Sequence, residues 1–475
     1  MSITSKAGQR IAALLDENSF VELGALVTAR STDFDLKLVP TPSDGVVTGY
    51  GLVDGKLVYV YSQDASVLNG SVGEMHAKKI ANIYDMALKM GAPVIGLLDS
   101  AGLRLQEATD ALDAMALIYS KQAQASGVIP QVCAVFGNCG GGLAIANAMA
   151  DFTFMEEKSG KLFVNTPNAL DGNYTAKCDT ASAEYVAKAG QCDGFGSEET
   201  ILAQIRELVS MLPSNNDSEA ETVDVTDDLN RACAGIEGCI GDTAILVSQI
   251  ADDNNFVEVK PDFAKSMVTG FIRLNGATVG VVANRSEVYG EDNKVAEKFD
   301  TVLCPCGCEK AAKFIGFCDA FSIPVVSFTN VTGFKATVEA EKKMAKAAAK
   351  LTYAFANATV PKVNVVIGKA YGSAYTVMNS KSIGCDVTIA WPNAEIGTMD
   401  AKLAAKIMYD GQDAAVIDEK AAEYAKLQNS VTSAAQRGYV DQIVDPADTR
   451  KYVIGALEML YTKFEERPAK KHGTV

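Results

Sequence analysis

Histidine is scarce in this sequence, since only His76 and His472 occur among the 475 residues. A Ser-His-Asp triad would therefore have to recruit His76, and a histidine-rich catalytic zinc site is nearly excluded. The run CPCGC at residues 304–308 has C-x-C-x-C spacing and lacks the C-x-x-C spacing of common zinc sites, so we predict no metal site. The eleven cysteines are scattered and odd in number, which favours a reduced, cytoplasmic setting over a disulfide framework.

Basic residues and long apolar runs are also in short supply. The chain has 43 Lys and Arg against 59 Asp and Glu, a net charge of −16, which argues against nucleic acid as a partner. A local basic pocket for a phosphorylated cofactor remains compatible with this balance. No run is long enough to cross a membrane, and the first twenty residues lack the apolar core of a signal peptide. They predict an amphipathic helix instead.

The length of the chain predicts two domains of roughly 200 residues or more each, because one hydrophobic core rarely grows larger. Aromatic residues make up only 7%, whereas small residues are plentiful, which suits helices packed on strands. Apolar strands alternate with helical stretches on both sides of a polar, acidic segment at residues 212–232. We therefore predict an α/β fold with mostly parallel sheets, an N-terminal domain at residues 1–222 and a C-terminal domain at residues 223–475.

The two halves of the sequence resemble each other. The run GAPVIGLLDSAGLRL at residues 91–105 echoes SIPVVSFTNVTGFKA at residues 322–336. Three landmark pairs share one spacing along the chain: Pro93 and Pro324, Pro130 and Pro361, Gly141 and Gly372. A constant offset across three landmarks predicts an internal duplication, with a glycine turn at the equivalent position of each half.

The first glycine turn lies in GNCGGGLAIANAMADF, residues 137–152, after an apolar strand and before a helical stretch. Glycines at such a place suit a bound phosphate, a developing oxyanion or close packing of backbone. No Lys-Ser or Lys-Thr follows, as a P-loop requires, and the third glycine of a G-x-G-x-x-G fingerprint is missing. The oxyanion and packing interpretations stay open.

Long stretches of the chain carry a family resemblance. Among them are DGVVTGYGLVDGKLVYVYSQD, SVGEMHAKKIANIYDMALKMGAPVIGLLDSAGLRLQEA, ASGVIPQVCAVFGNCGGG, FCDAFSIPVVSFTNVTGF, LTYAFANATVPKVNVVIGKAYGSAY and AWPNAEIGTM. In these stretches the sequence resembles the carboxyltransferase family of biotin-dependent enzymes, from about residue 10 to the end. The resemblance implies two crotonase-like domains of the ClpP/crotonase superfamily, related by internal duplication.

The resemblance also implies a reaction and its partners. A carboxyl group would move between carboxybiotin, carried on a separate biotin carboxyl carrier protein, and a short-chain acyl-CoA. One backbone oxyanion hole would polarise the thioester carbonyl, and a second would stabilise the ureido oxygen of biotin. The other partner would be a biotin carboxylase or a membrane decarboxylase subunit. The site would lie between subunits, which implies a homodimer or homohexamer.

The resemblance assigns residues to both holes. The N-terminal hole falls on Gly141 and Gly142, and the C-terminal hole on Ser373 and Ala374. Further substrate-binding candidates surround them: Gly140, Ala101, Gly102, Arg104, Tyr371, Gly372 and Tyr375. The family pattern is broken at Ser373, where many relatives have glycine, and across residues 335–350, both on the biotin side.

Several of these residues have an alternative interpretation. Arg104 could approach CoA phosphates or form a surface ion pair with Glu107, three residues on. Lys78 and Lys79 fit a solvated helix face better than a CoA contact. The two tyrosines could line a biotin slot or simply pack.

Two other functions are alternatives to the carboxyltransferase. An enoyl-CoA hydratase or isomerase would need carboxylates beside the oxyanion hole, and LAIANAMA, which follows Gly142, offers none. A non-catalytic scaffold subunit of the same complex is the third hypothesis, motivated by the altered residues 335–350. The resemblance is compatible with several short-chain acyl-CoAs and with transfer in either direction, carboxylation or decarboxylation.

Overall fold

A computed structural model describes residues 4–31, 33–218, 222–290, 292, 294–470 and 473–475. His472 lies outside these described residues. The chain divides into two compact units, Met1–Ala220 and Glu221–Val475. The division falls inside the polar segment at residues 212–232. No helix within the described ranges is long and apolar enough to cross a membrane.

The described residues of the first unit form eight strands and seven α-helices. The strands are β1 Val21–Leu23, β2 Val46–Val53, β3 Lys56–Gln63, β4 Val94–Ser100, β5 Gln131–Gly140, β6 Phe152–Glu156, β7 Lys161–Phe163 and β8 Gly194–Gly196. The helices are α1 Lys6–Leu14, α2 Glu74–Met90, α3 Ala108–Ala125, α4 Gly142–Ala148, α5 Asn173–Ala176, α6 Ala183–Lys188 and α7 Glu198–Met211. The amphipathic helix predicted for the N-terminus is confirmed by α1, which buries Ala7, Ile11 and Leu14.

The sheet of the first unit has the order β1-β2-β3-β4-β5-β6-β8, with β7 paired to the outer part of β5. Its first three strands are antiparallel, and the pairs from β3 onward are parallel. Strands β4 and β5 are apolar and almost wholly buried, as central parallel strands must be when helices cover both faces. Their carboxyl ends therefore point to one edge, where the glycine turn lies.

Over the part of the second unit that the structure describes, the chain forms twelve strands and eight α-helices. The strands are β9 Phe256–Glu258, β10 Met267–Leu274, β11 Ala277–Asn284, β12 Glu287–Tyr289, β13 Val295–Lys298, β14 Val302–Leu303, β15 Val325–Val331, β16 Gly333–Phe334, β17 Lys362–Tyr371, β18 Val387–Ala390, β19 Glu395–Gly397 and β20 Gln442–Ile443. The helices are α8 Thr243–Ile250, α9 Pro305–Ala320, α10 Val338–Asn357, α11 Gly372–Val377, α12 Ala401–Met408, α13 Ala414–Tyr424, α14 Val431–Gln436 and α15 Thr449–Met459.

The main sheet of the second unit repeats the strand order of the first. It runs β9-β10-β11-β15-β17-β18-β20, with β19 paired to the outer part of β17. Again the first three strands are antiparallel and the later pairs parallel. The protein is thus a mixed α/β fold with two parallel-rich sheets, and each glycine turn follows the corresponding strand, β5 or β17.

Buried lysines close the ends of helices in both units. Lys56 Nζ donates to the carbonyl oxygens of Ser210 and Leu212, at the end of α7, over 2.9 and 3.1 Å. Lys362, fully buried, donates to those of Phe355 and Ala358, at the end of α10, over 2.7 Å each. Burial lowers the pKa of Lys362. These ammonium groups satisfy carbonyls that a helix end leaves without intrahelical partners.

We expect Lys362→Met to lower the free energy of unfolding by about 1–3 kcal/mol, because two buried carbonyl groups lose their donor. Lys342→Met is the matched control on α10, the helix whose end Lys362 caps, because Lys342 is exposed and its Nζ pairs with the exposed Glu339. It should change stability by less than about 0.5 kcal/mol. Chemical denaturation of both variants measures the difference. Equal losses in the two variants would contradict the capping role.

Candidate functional site

The first glycine turn joins β5 to α4 through Gly141. This residue has φ 58° and ψ −123°, a conformation open to glycine and strained for other residues. Its N–H donates to the carbonyl oxygen of Phe163 in β7 over 2.9 Å, and its carbonyl accepts from Ala144 N–H over 3.1 Å. The turn is therefore tied to the sheet on one side and to the helix on the other.

The hydrogen bond to Phe163 corrects the predicted pair of donors. It directs the Gly141 N–H into the sheet, so this group is not free for a ligand. Within the described part of the chain, the next two N–H groups, those of Gly142 and Leu143, have no acceptor. They belong to the first turn of α4, whose N–H groups lack intrahelical partners. The candidate donor pair is thus Gly142 and Leu143, not Gly141 and Gly142.

Close packing explains two of the three glycines. A Cβ atom at Gly140 would lie 2.7 Å from the ring of Phe163, and one at Gly142 would lie 2.9 Å from the Tyr119 hydroxyl. A Cβ atom at Gly141 would meet no atom within 4 Å. The packing interpretation therefore accounts for Gly140 and Gly142, while the space in front of Gly141 is open for a ligand.

The loop after β4 lies beside this turn. Ala101 donates its N–H to the Asn69 carbonyl over 2.9 Å and is itself exposed. Gly102 has φ 98°, and a Cβ atom there would lie 3.8 Å from the Gly140 carbonyl oxygen. The structure thus brings together Ala101, Gly102 and Gly140, which the sequence had grouped as substrate-binding candidates.

Arg104 points into the protein. Its guanidinium, with the side chain 0% exposed, donates to Asp44 over 2.7 Å and to Glu107 over 2.9 Å. It also donates to the Ser71 carbonyl over 2.8 Å. The predicted pair with Glu107 forms, but it is buried and not on the surface. Because these partners hold the guanidinium, Arg104 is not placed to reach a CoA phosphate and instead anchors the loop after β4.

His76 and Lys79, both on α2, belong to the same buried cluster. His76 Nδ1 lies 2.9 Å from the Asp44 carbonyl oxygen, and Nε2 lies 3.2 Å from the Gln63 amide. Burial, and next the positive charge of Arg104, lower the pKa of His76 to about 3. Such a sealed, neutral imidazole is not placed to act as a base on a substrate.

The prediction that Lys78 and Lys79 lie on a solvated helix face is confirmed for Lys78 and is wrong for Lys79. Lys78 is exposed and pairs with Glu74 over 2.6 Å. Lys79 is buried and donates to the Ser43 carbonyl over 3.0 Å and to the Val46 carbonyl. Burial lowers the pKa of Lys79 to about 8. The prediction is wrong for Lys79 because residues far along the chain supply its acceptors.

The second glycine turn joins β17 to α11. Gly372 has φ 59°, close to the value at Gly141. Within the described residues, the N–H groups of Ser373 and Ala374 have no acceptor, so this predicted pair stands free. The Tyr371 ring is buried and its hydroxyl donates to Glu395. Tyr371 therefore packs beneath the turn, whereas Tyr375 is half-buried and burial raises its pKa to about 12.

A cavity of about 510 Å³ adjoins the second turn. Gly372, Ser373 and Tyr375 form its floor, and Thr398, Tyr424 and Arg437 are among its polar walls. The Ser373 side chain is exposed into this space. Of the site residues predicted for the second half, Gly372, Ser373 and Tyr375 line this cavity, whereas Tyr371 and Ala374 are buried beside it.

The cysteine run at residues 304–308 begins helix α9. Cys304 precedes the helix, and its sulfur accepts the N–H of Gly307 over 3.3 Å. Among the residues that the structure describes, no group of three or more His, Cys, Asp or Glu side chains could hold a metal ion.

Sequence reasoning missed two residues that shape the first turn. Phe163 comes from the three-residue strand β7, too short to be read from periodicity. Tyr119 donates its hydroxyl proton to the Gly142 carbonyl over 2.7 Å. Its position one helical turn after the buried Met115 was the available signal for a side chain facing the sheet.

His76 gives the protein a specific pH dependence. Because the unfolded imidazole titrates near pH 6.5 and the folded one near pH 3, the unfolded state binds more protons between these values. Stability should therefore fall as the pH drops from 6.5 towards 3, by up to about 1.4 kcal/mol per pH unit from this group. Thermal unfolding of wild type and His76→Asn across this range measures the slope. Parallel curves for the two proteins would contradict the assignment.

Comparison with known proteins identifies the family of the chain. The carboxyl transferase domain family matches residues 5–475. The chain is 38% identical to methylmalonyl-CoA decarboxylase subunit alpha of Propionigenium modestum, covering 99% of this chain and 92% of that protein. It is 39% identical to the propionyl-CoA carboxylase beta chain of Roseobacter denitrificans, covering 99% and 93%.

A solved structure is similar over nearly the whole chain. It is the transcarboxylase 12S hexamer with bound methylmalonyl-coenzyme A, at a TM-score of 0.91 and 36% identity, covering 98% of this chain and 92% of that one. A family match across both units and relatives of this identity leave one conclusion. The chain belongs to the carboxyl transferase family of enzymes.

Proposed function

We propose that this carboxyltransferase moves a carboxyl group between carboxybiotin on a separate carrier protein and a short-chain acyl-CoA of the acetyl, propionyl or methylmalonyl type. The observation that carries the proposal is the pair of glycine turns. Each follows the corresponding strand of its sheet, and, among the described residues, each has two adjacent N–H groups without acceptors. When a carboxyl group moves between the ureido nitrogen of biotin and the α carbon of a thioester, negative charge develops on the ureido oxygen and on the thioester oxygen, and two oxyanion holes can stabilise these two oxygens.

The first unit would bind the acyl-CoA. The N–H groups of Gly142 and Leu143 would donate to the thioester carbonyl oxygen and stabilise the enolate-like charge that develops there. Open space in front of Gly141 leaves room for the thioester. The exposed loop at Ala101 and Gly102 would form the neighbouring wall. A side-chain base is not needed for this role, which agrees with the sealed position of His76.

The second unit would bind biotin. Its cavity of about 510 Å³ is large enough for a bicyclic ring, and the free N–H groups of Ser373 and Ala374 are suited to the ureido oxygen. The half-buried Tyr375 would line the slot. When bound, carboxybiotin supplies the activated carboxyl group and, through its ureido nitrogen, an acceptor for the proton on the substrate's α carbon. Ser373 and Ala374 would orient that ring and hold its oxygen.

The finer architecture belongs to the same proposal. We take the units as two crotonase-like domains related by duplication, with residues 1–222 on the acyl-CoA side and 223–475 on the biotin side. Two observations support this: the two sheets have the same strand order, and Gly141 and Gly372 are separated by the same number of residues as the two proline pairs. The complete site would form between subunits of a homodimer or homohexamer in the cytoplasm. A biotin carboxyl carrier protein would be one partner, and a biotin carboxylase or membrane decarboxylase subunit the other.

The hydratase alternative is weaker. It needs a carboxylate beside the first turn, and α4, Gly142–Ala148, contains no acidic residue. The scaffold alternative remains an outcome of the experiments below.

The purified chain should be streptavidin-negative and should not hydrolyse ATP. With a biotinylated carrier protein, it should exchange isotopic label between a carboxylated acyl-CoA and the unlabelled acyl-CoA. Free biotin should substitute weakly because it lacks the tether that raises local concentration. Exchange without any biotin would overturn the mechanism. Absence of exchange with carriers from several related systems, each with several short acyl-CoAs, would favour the scaffold.

Changes at the two turns should have unequal effects. Gly142→Val should reduce turnover by about 100- to 1000-fold, as much as the loss of one oxyanion donor, because the side chain displaces the turn and misdirects its N–H groups, while CoA binding persists. The added side chain would also press on the Tyr119 hydroxyl. Ser373→Gly should be tolerated, because the serine side chain is exposed. More than half of the wild-type rate in Gly142→Val would contradict the assignment of the first hole.

A further inference from the structure

Tyr119 contacts the first glycine turn at Gly142. It lies on α3, and its hydroxyl donates to the Gly142 carbonyl oxygen over 2.7 Å. Met115, one turn earlier on the same helix, lies 3.3 Å from the point where a Gly142 Cβ would sit. These two side chains leave room for glycine alone at position 142.

The hydrogen bond acts on more than the carbonyl group. The Gly142 C=O and the Leu143 N–H belong to one planar peptide unit, in which they point in opposite directions. A donor that fixes the carbonyl from behind therefore fixes the direction of the N–H in front. A carbonyl oxygen has two lone pairs, so it can accept this bond beside a helical one. Hydrogen bonding at the carbonyl also polarises the peptide and strengthens its N–H as a donor.

We propose that Tyr119 is a positioning residue for the thioester half of the reaction, acting through the peptide between Gly142 and Leu143. The inference rests on the proposed function, because it takes the Leu143 N–H as an oxyanion donor. Tyr119 itself would not touch the substrate. Its hydroxyl would hold the donor in the orientation that the transition state requires.

The second unit lacks an equivalent phenol. The constant spacing between the halves places Lys350 of α10 at the position of Tyr119. Lys350 Nζ pairs with Glu309 over 2.8 Å. The effect of Tyr119 is therefore confined to the acyl-CoA side, and the biotin side should not depend on it.

The fold has other contacts that hold α3 to α4. Gln122, buried on α3, donates to the Ala146 carbonyl oxygen over 2.9 Å. The Leu143 side chain is 2% exposed and sits in the hydrophobic core with Met115. Loss of the Tyr119 hydroxyl should therefore leave the packing of α3 on α4 in place. It should change only the orientation of the peptide between Gly142 and Leu143.

The test is Tyr119→Phe in the full-length protein, assayed by carrier-dependent exchange of label between a carboxylated acyl-CoA and its acyl-CoA. We expect kcat to fall about tenfold, since small misplacement of a catalytic donor is costly. KM for acyl-CoA and for the carrier should stay within about twofold of wild type, because neither ground-state contact uses the hydroxyl. Tyr452→Phe, a partly exposed tyrosine on α15, is the matched control and should leave kcat unchanged.

A double-mutant cycle adds a second, independent readout. Gly142→Ala places a methyl group at about 2.9 Å from the Tyr119 hydroxyl oxygen and should displace it. Because both changes break the same contact, the loss in Gly142→Ala with Tyr119→Phe should be smaller than the product of the single losses. Fully multiplicative losses would overturn the proposal.

The remaining outcomes separate this inference from the proposed function. If wild type shows no carrier-dependent exchange, the proposed function fails, and the positioning role falls with it. If wild type is active and Tyr119→Phe keeps its kcat within twofold, the positioning role alone is overturned. If Tyr119→Phe lowers the thermal stability and also raises KM for both acyl-CoA and the carrier, the positioning role is likewise overturned, because the phenol would then be structural.

Discussion

A single backbone constraint underlies the candidate site in each half of the protein: the central strand must stop and a helix must start within one residue. Gly141, with φ 58°, and Gly372, with φ 59°, meet this constraint at the ends of β5 and β17. Gly141 also has ψ −123°, and no other residue type takes that combination without strain. Because the chain turns so sharply, the first N–H groups of the next helix face outward at the edge where parallel strands end, and the ligand side is open.

The strand-turn-helix units could be predicted from sequence because their signals are local. Long apolar runs before each turn, and small residues after it, define β5, α4, β17 and α11. The identity of the free donors at the first turn could not be predicted. It depends on Phe163, in a strand of only three residues, whose carbonyl takes the Gly141 N–H over 2.9 Å. That pairing is fixed by tertiary structure, and it moves the donor pair one residue along the chain.

The charged residues show the same limit in another form. Arg104 and Lys79 were expected at the surface, since such side chains are rarely buried without partners. Their partners lie far away in sequence: Asp44 pairs with Arg104, and the Ser43 and Val46 carbonyls accept from Lys79. A buried pair broken at one member leaves an uncompensated charge, so this cluster locks the loop after β4 in place. The side chains considered as CoA contacts thus hold the backbone of the proposed acyl-CoA site.

The two turns share a backbone but differ in what surrounds them, and the difference follows the charge each would stabilise. The first is packed tightly from behind by Tyr119 and Met115, which suits an enolate whose oxygen must be met by a fixed donor. The second has an exposed serine and an open cavity, which suits a ring that arrives on a tethered carrier and must leave again. The shared strand order of the two sheets would by itself make the two turns equally rigid. The substitution of tyrosine for lysine at the equivalent helix position is a physical way to make one of them more rigid than the other.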